Sequence, residues 1–356
     1  MFPRYGRTPG ILLMLLLSTF LRSSGQTKQY QISAVAFYNF ENLFDTKDDP
    51  SNWGDDDFLP EGPYRYTDEV YHQKLHNIAT VISQLGTEFT PDGPAIIGTA
   101  EIENDNVLKD LCSQPSIKER NYKFVHFDSR DSRGIDVALI YQPKYFQFLG
   151  AKSLSVNTGE VKGKTSRTRD ILHVSGILAS DTVHILVNHW PSRRGGEAAS
   201  AQYRAVAAGV CRRAADSLFA INSHAKIIIM GDLNDDPKNT SVTSILGAKG
   251  RKEEVAPSGL YNPFTSFYRH GYGTLGYNGS WNLFDQIIIS GSCVRQNTSG
   301  WRYYKAEVFD RPFLKYRFGQ HKGYPLRSFE GHNWVNGYSD HFPSLIYLVR
   351  EVPITE

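Results

Sequence analysis

Six short, almost wholly apolar runs recur along this chain, at Ala95–Ile102, Ile135–Tyr141, Val183–Asn188, Ile227–Met230, Phe284–Ser290 and Leu345–Val349. Runs this short and this rich in Ile, Val and Leu read as strands covered on both faces, because a strand with one wet face alternates apolar with polar residues. A further strand is expected at Tyr30–Tyr38. Helical spacing appears between Asp68 and Leu85, where Val70, Leu75, Ile78, Val81, Ile82 and Leu85 form a stripe that Gly86 stops. An Ala-rich helix is expected from about Glu197 to Asn222. Strands outnumber helices, and strands covered on both faces need layers on either side. The expected architecture is therefore an α/β sandwich with two sheets inside and helices outside.

The amino terminus follows a different logic. Arg4 and Arg7 precede the apolar run Ile11–Leu21, and Ser23 and Gly25 supply small residues after it, the pattern of a secretory signal cut after Gly25. A membrane-spanning helix needs about 20 apolar residues, and this run is too short. Residues 1–25 are thus expected to be a signal and 26–356 a single catalytic domain. The protein would be exported, periplasmic or extracellular, monomeric, and without a membrane span once the signal is gone. The whole chain carries 39 Lys+Arg against 37 Asp+Glu, for a net charge of +2. Removing Arg4, Arg7 and Arg22 leaves 36 against 37, a net charge of −1. That balance argues against a protein that coats nucleic acid through a surface-wide basic field. Cys112, Cys211 and Cys293 show no Cys-x-x-Cys or Cys/His spacing, so a zinc site is not expected and buried free thiols are. The loop Asp45–Pro63 holds seven acids against Lys47 alone. It reads either as a calcium site, although EF-hand spacing is absent, or as a solvated loop.

Polar residues gather where the apolar runs start or stop. They are Asn39 in FYNFENLF, Glu101 in IIGTAEIEND, Asp136 in RGIDVALIY, His189 in VNHWPS, Asp232 and Asn234 in IIIMGDLNDDP, Asp285 in LFDQIII, and Asp340 and His341 in YSDHFP. At a strand end the sheet fixes the backbone while side chains reach a shared edge, and preorganised sites are built there. The set holds two His, several carboxylates and two Asn, with no nucleophile elbow, no GxxxxGK[ST] and no GxGxxG. Such an inventory suits hydrolysis assisted by a hard, oxygen-ligated cation.

The order and wording of YNFENLFDT, GTAE, RGIDVALIY, NHWPS, GDLND, FDQIII and SDHFP resemble the endonuclease/exonuclease/phosphatase superfamily. That group contains DNase I, abasic-site endonucleases, neutral sphingomyelinases and inositol polyphosphate 5-phosphatases, and the chain is most similar to its secreted bacterial members. The resemblance implies a DNase I-like four-layer sandwich, with two packed mixed sheets flanked by helices. It also implies Mg²⁺ as cofactor, with Mn²⁺ or Ca²⁺ as substitutes. Glu101 would be the principal metal carboxylate, in preference to Glu103, with Asn39 beside it and Asp340 near the ion. Asp232 and Asn234 would orient the attacking water and grip the phosphate. His341 would be the general base or the electrostatic partner of the phosphoryl oxygen, oriented by Asp285. His189 would be the second histidine, with Asp136 holding its tautomer. Arg193 and Arg194 would touch substrate phosphate, and Thr168-Arg169-Asp170 either line the cleft or form a structural ion pair. Where many members have Gln before the metal-binding Glu, this chain has Ala100.

The expected activity is metal-assisted, in-line attack of water on a phosphodiester, with nucleic acid as substrate. A small or lipid headgroup phosphoester is the alternative enzyme reading, and a catalytically silent surface-binding protein the third. Trp301–Phe329 reads as an insertion that either grips single strands through interleaved basic and aromatic residues or packs on itself.

Overall fold

The computed structural model describes residues 28–161, 164–165, 168–295 and 300–352; the expected signal lies outside the described residues. In chain order, the strands of the two large sheets are β1 (Gln29–Leu43), β2 (Ile96–Ile102), β3 (Lys123–His126), β4 (Asp136–Tyr141), β5 (Phe146–Leu154), β6 (Ile171–Leu178), β7 (Asp181–His189), β8 (Lys226–Asp232), β9 (Ala248–Lys249), β10 (Leu260–Tyr261), β11 (Asp285–Ser290), β12 (Arg302–Val308) and β13 (Ser344–Val352). The first sheet has the order β12-β13-β1-β2-β4-β3 and the second β9-β10-β11-β8-β7-β6-β5. Both are mixed, and the second also has a short parallel pair, β9 with β10, at its edge. A parallel pair, β1 with β2 and β7 with β8, sits at the centre of its sheet with antiparallel neighbours on both sides.

Side-chain alternation then builds the layers. Helices α1 (Asp68–Gln84), α2 (Asp105–Cys112) and α3 (Glu197–Ile221) flank the sheets; on β8, Ile228 and Met230 enter the core between the sheets, whereas Ile227 and Ile229 face outward onto Ala207, Ala208, Cys211 and Ala215 of α3. Small residues on α3 let the helix lie close to the sheet. Helices α1 and α2 pack their apolar stripes, including Leu75, Ile78, Ile82, Val107 and Leu111, into the same core as the first sheet. Gly86, at φ +69, ends α1 as its sequence position suggests. Thr67 caps the start of α1 through Val70 N–H, and Asn104 caps α2 through Asn106 and Val107 N–H.

The outcome is the expected sandwich, with two differences in its parts. Strand β1 runs on to Leu43 because a bulge between Asn39 and Leu43 lets it resume pairing with β2, so the chain beyond Tyr38 stays in the sheet. The stretch from Trp301 is not an insertion at its start. Residues Arg302–Val308 form the edge strand beside β13, and Trp301 is buried with its indole N–H donated to the Leu178 carbonyl. All three cysteines are free thiols, Cys211 and Cys293 buried. Among the described residues, no helix is long and apolar enough to cross a membrane.

The two sheets pack tightly at Gly98. A Cβ there would lie 2.3 Å from Met230 Sδ and 3.2 Å from Phe37 Cδ2. Gly98→Val is expected to lower unfolding stability by about 1–3 kcal/mol through overpacking, and Met230→Ala in the same chain to recover part of it, as read from urea denaturation.

Candidate active site

The register of the second sheet places three chemistry-bearing residues in one row. Asp232, at the end of β8, pairs with His189 of β7 on one side and with Asp285 of β11 on the other. Across the sandwich, β1 and β2 bring Asn39 and Glu101 to the same edge, and the Asn39 side-chain amide donates to Asp232 Oδ2 at 3.2 Å. Asp340 and His341 arrive on the approach to β13, where Ser339 bonds the Asn39 carbonyl and so ties this segment to β1.

Asp232 is the hub. Its Oδ2 lies 3.6 Å from His189 Nε2 and 3.8 Å from His341 Nε2, and its Oδ1 accepts the Asn234 backbone N–H at 2.9 Å. His189 Nε2 is also 3.7 Å from Glu101 Oε1. His341 Nδ1 lies 2.7 Å from Asp285 Oδ2, and its Nε2 is 3.9 Å from Asp340 Oδ1. The backbone is strained at the same point: Glu101 sits at φ +62 in a bulge of β2 and Asn234 at φ +48, conformations that residues other than glycine rarely adopt. Asn234 is held there by its side-chain N–H bond to the Trp190 carbonyl at 2.9 Å.

The electrostatics follow from this crowding. Burial, reinforced by the Asp285 and Glu101 carboxylates, pushes Asp232 up to about 7 against the pull of His341. Burial opposes charge on His341, but Asp285, Asp340 and Asp232 together overcome it and hold the imidazole protonated well above its usual range. His189 is the opposite case. Burial and the nearby Arg169, Arg133 and His341 keep it neutral, and its Nδ1 is buried without a hydrogen-bond partner. The two histidines of one site thus differ in charge. Glu101, Asp340, Asp232 and Asp285 with Asn39 form an oxygen-rich set whose excess negative charge suits a hard divalent cation.

Three expected residues lie elsewhere. Asp136 does not orient His189: its Oδ1 accepts the Ser129 N–H and its Oδ2 lies 3.4 Å from His126 Nε2. Arg193 bonds the Asn234 carbonyl and contacts Glu197, Asp235, Asp236 and Asn239, so it braces the loop behind Asn234. Arg194 is exposed beyond it. Glu103 accepts the Asp45 N–H at 2.7 Å, and burial pushes it up to about 8. Arg169 makes the structural ion pair, with Asp131 at 2.9 Å, and bonds the His189 and Trp190 carbonyls.

Four charged residues of the site escaped the sequence reading. Glu41 is buried, accepts the Ser328 N–H and pairs with Arg327, which also bonds Asp340 at 2.8 Å. Lys74 is fully buried, donating to the Glu41 carbonyl and to Ser328 Oγ. Arg133 comes within 3.9 Å of Glu101. The signals for two of them are present: Glu41 lies two residues from Asn39, and Lys74 interrupts the apolar stripe of α1. Arg133 and Arg327 sit in loops, where no spacing rule applies. Beside this cluster, a cavity of about 1020 Å³ is lined by acids that include Glu103, Asp128, Asp131 and Asp136.

If the Asp285 carboxylate is what keeps His341 charged, Asp285→Asn lowers the His341 pKa by about 1–3 units, as followed by NMR titration of the imidazole; an unchanged value refutes the pairing.

Comparison with curated protein sequences gave no match. Among solved structures, D. rerio TDP2 complexed with a single-strand DNA product is similar over 89% of this chain and 98% of its own, with TM-score 0.52 and 12% identity. An endonuclease/exonuclease/phosphatase family protein from Bacteroides thetaiotaomicron matches over 91% and 100%, with TM-score 0.52 and 15% identity. The human Nocturnin catalytic domain, with a bound sulfate anion, matches over 91% and 98%, with TM-score 0.51 and 12% identity. At such identities the likeness is one of fold. The family described as Endonuclease/Exonuclease/phosphatase matches residues 34–350, nearly the whole chain. This protein belongs to that family of metal-dependent phosphoric ester hydrolases.

Proposed function

We propose that this enzyme is an exported, Mg²⁺-dependent phosphodiesterase that hydrolyses nucleic acid by in-line attack of water. The observation that carries the mechanism is the position of Asp232, an acid tuned near neutrality within 4 Å of one protonated and one neutral histidine. Glu101 and Asp340, with Asn39 behind them, would hold the divalent ion. When bound, such an ion neutralises phosphate charge and favours departure of the leaving oxygen.

The remaining work belongs to the side chains. Asp232, ionised, accepts the proton of the attacking water while Asn234 fixes that water and a phosphoryl oxygen. His341, kept charged by Asp285, acts as the electrostatic partner of the phosphoryl group; of the two roles expected for it, the general base passes to Asp232. His189 donates a hydrogen bond from Nε2–H to a second phosphoryl oxygen, as a neutral donor that needs no counter-ion. Preorganised donors and charges of this kind replace solvent around the transferring group.

Two features favour nucleic acid. A hairpin of Leu275–Tyr277 with Ser280–Asn282 lies against the site through a bridge from Leu275 to His341, and it presents Tyr277 and Trp281 to solvent as surfaces on which bases can stack. TDP2, with the same fold, carries a single-strand DNA product. The small-substrate reading keeps one argument: the mature charge of −1 and the acidic cavity beside Glu101 offer a long polyanion little attraction. Within the 301–329 stretch, Lys305, Arg311, Lys315 and Arg327 are paired with Glu88, Glu307, Asp310 and Asp340, which lowers the positive charge those four offer to a polyanion.

Asp232→Asn and His341→Ala are each expected to lower kcat/KM by about 10²–10⁴ in protein that remains folded by circular dichroism, and near-normal turnover would remove that residue from the reaction. Activity should disappear in EDTA and return with Mg²⁺. Because Asp232 must be ionised, log kcat/KM should rise with pH through the pKa of this carboxylate and flatten above it, an acid limb that Asp232→Asn abolishes. A side-by-side panel of single-stranded DNA, sphingomyelin and inositol phosphates decides the substrate; turnover of the lipid or inositol compounds alone would overturn the nucleic-acid reading. Export predicts a mature chain beginning at Gln26, which amino-terminal sequencing of the protein recovered outside the cytoplasm would detect.

A further inference from the structure

Away from the catalytic cluster, the acidic loop after β1 contains a second arrangement of oxygens. Asp48, Asp55 and Asp56 each bring a carboxylate oxygen within 4.8 Å of the others. Ligands of one Ca²⁺ sit at about 2.4 Å from the ion, so two oxygens sharing it can be no more than about 4.8 Å apart. Three exposed acids could drift apart in water, but Asp55 cannot. It is 1% exposed, and only one of its oxygens has a donor, the Asp49 N–H at 2.8 Å. The other, Oδ1, is buried with no hydrogen-bond partner. Asp55 also precedes the short helical turn Asp56–Phe58, yet its side chain does not cap that turn.

A buried carboxylate oxygen without a donor is left unsatisfied, and its carboxylate neighbours are acceptors that add repulsion. A cation is the partner such a group lacks. Burial, with the Asp48 and Asp56 charges adding to it, also raises the Asp55 pKa, as expected of a carboxylate held among others.

We propose that Asp48, Asp55 and Asp56 form a structural calcium site, separate from the catalytic metal site and outside the established hydrolase activity. The donors are all oxygens on an irregular loop, which suits the adaptable coordination of Ca²⁺ better than the strict octahedron of Mg²⁺. The site has a place in the fold. A Cβ at Gly54 would lie 2.1 Å from the Arg133 carbonyl, and one at Gly134 would lie 1.9 Å from Asn52 Nδ2, so the loop is seated directly on the turn that carries Arg133 towards Glu101. A cation at Asp55 would hold that seat.

The test is titration of Ca²⁺ alone into the full chain carrying Glu101→Gln and Asp340→Asn, which removes catalytic ligands, followed by calorimetry. One Ca²⁺ per molecule should bind. Adding Asp48→Asn with Asp56→Asn, both at exposed positions where folding is not at risk, should weaken that binding at least about tenfold, and Asp55→Asn should do the same while leaving the protein no less stable in EDTA. No calcium bound by the Glu101→Gln, Asp340→Asn protein, undiminished affinity after the loop substitutions, or equal affinity for Mg²⁺ would each overturn the site. Because hydrolysis is not measured, the result is independent of whether nucleic acid is the substrate.

Discussion

Too much negative charge in too little water is the condition around which this protein is organised. Glu41, Glu101, Asp232, Asp285 and Asp340 converge where the two sheets end, and three of them are almost entirely buried. Most of them survive there through a named partner. Asp285 faces a histidine it keeps protonated; Glu41 accepts a backbone N–H and pairs with Arg327; Asp340 shares the same arginine. Asp232 has only the protonated His341 at 3.8 Å to offset its burial among acids, and its pKa stays near neutrality, the property that equips it to take a proton from water. Removal of any one partner redistributes charge among the others, so the cluster is expected to respond as a unit.

The fold makes that convergence possible. In each sheet a central parallel pair delivers two strand ends to the same edge, and the sandwich sets the two edges face to face. Asn39 to Asp232 is one hydrogen bond that joins them, and Ser344 Oγ to the Asp285 carbonyl is another, each with one residue from each sheet. Close approach at Gly98 and Met230 holds the sheets together just below Glu101 and Asp232, so core packing there bears on the distances within the site. Backbone strain at Glu101 and Asn234 shows that side-chain placement here prevails over local preference.

Much of this was legible from residue order alone. The apolar runs located the central strands of both sheets because burial on two faces leaves little room for polar residues. The strand-end argument brought Asn39, Glu101, His189, Asp232, Asn234, Asp285, Asp340 and His341 into one group, and all eight lie together in the structure. Asp136 failed the same argument in an instructive way. It too stands at a strand end, but β4 lies near the edge of its sheet, two strands from β1, and its side chain meets His126 instead of His189. Arg193 was read as a phosphate ligand from proximity to HWPS, whereas Asp235 and Asp236, close only in space, claim it.

What the sequence by itself determined is therefore the layer plan and the chemical inventory: buried strands, two amphipathic helices, and acids, amides and histidines at strand ends. These depend on local patterning, and patterning is written along the chain. Only the tertiary structure decided which acid meets which base, that His341 is charged and His189 neutral, and that Glu41, Lys74, Arg133 and Arg327 belong to the cluster. The reason is physical: a pKa and a salt bridge depend on burial and on distances between residues as far apart in sequence as Glu41 and Arg327, and neither quantity exists until the sheets have packed.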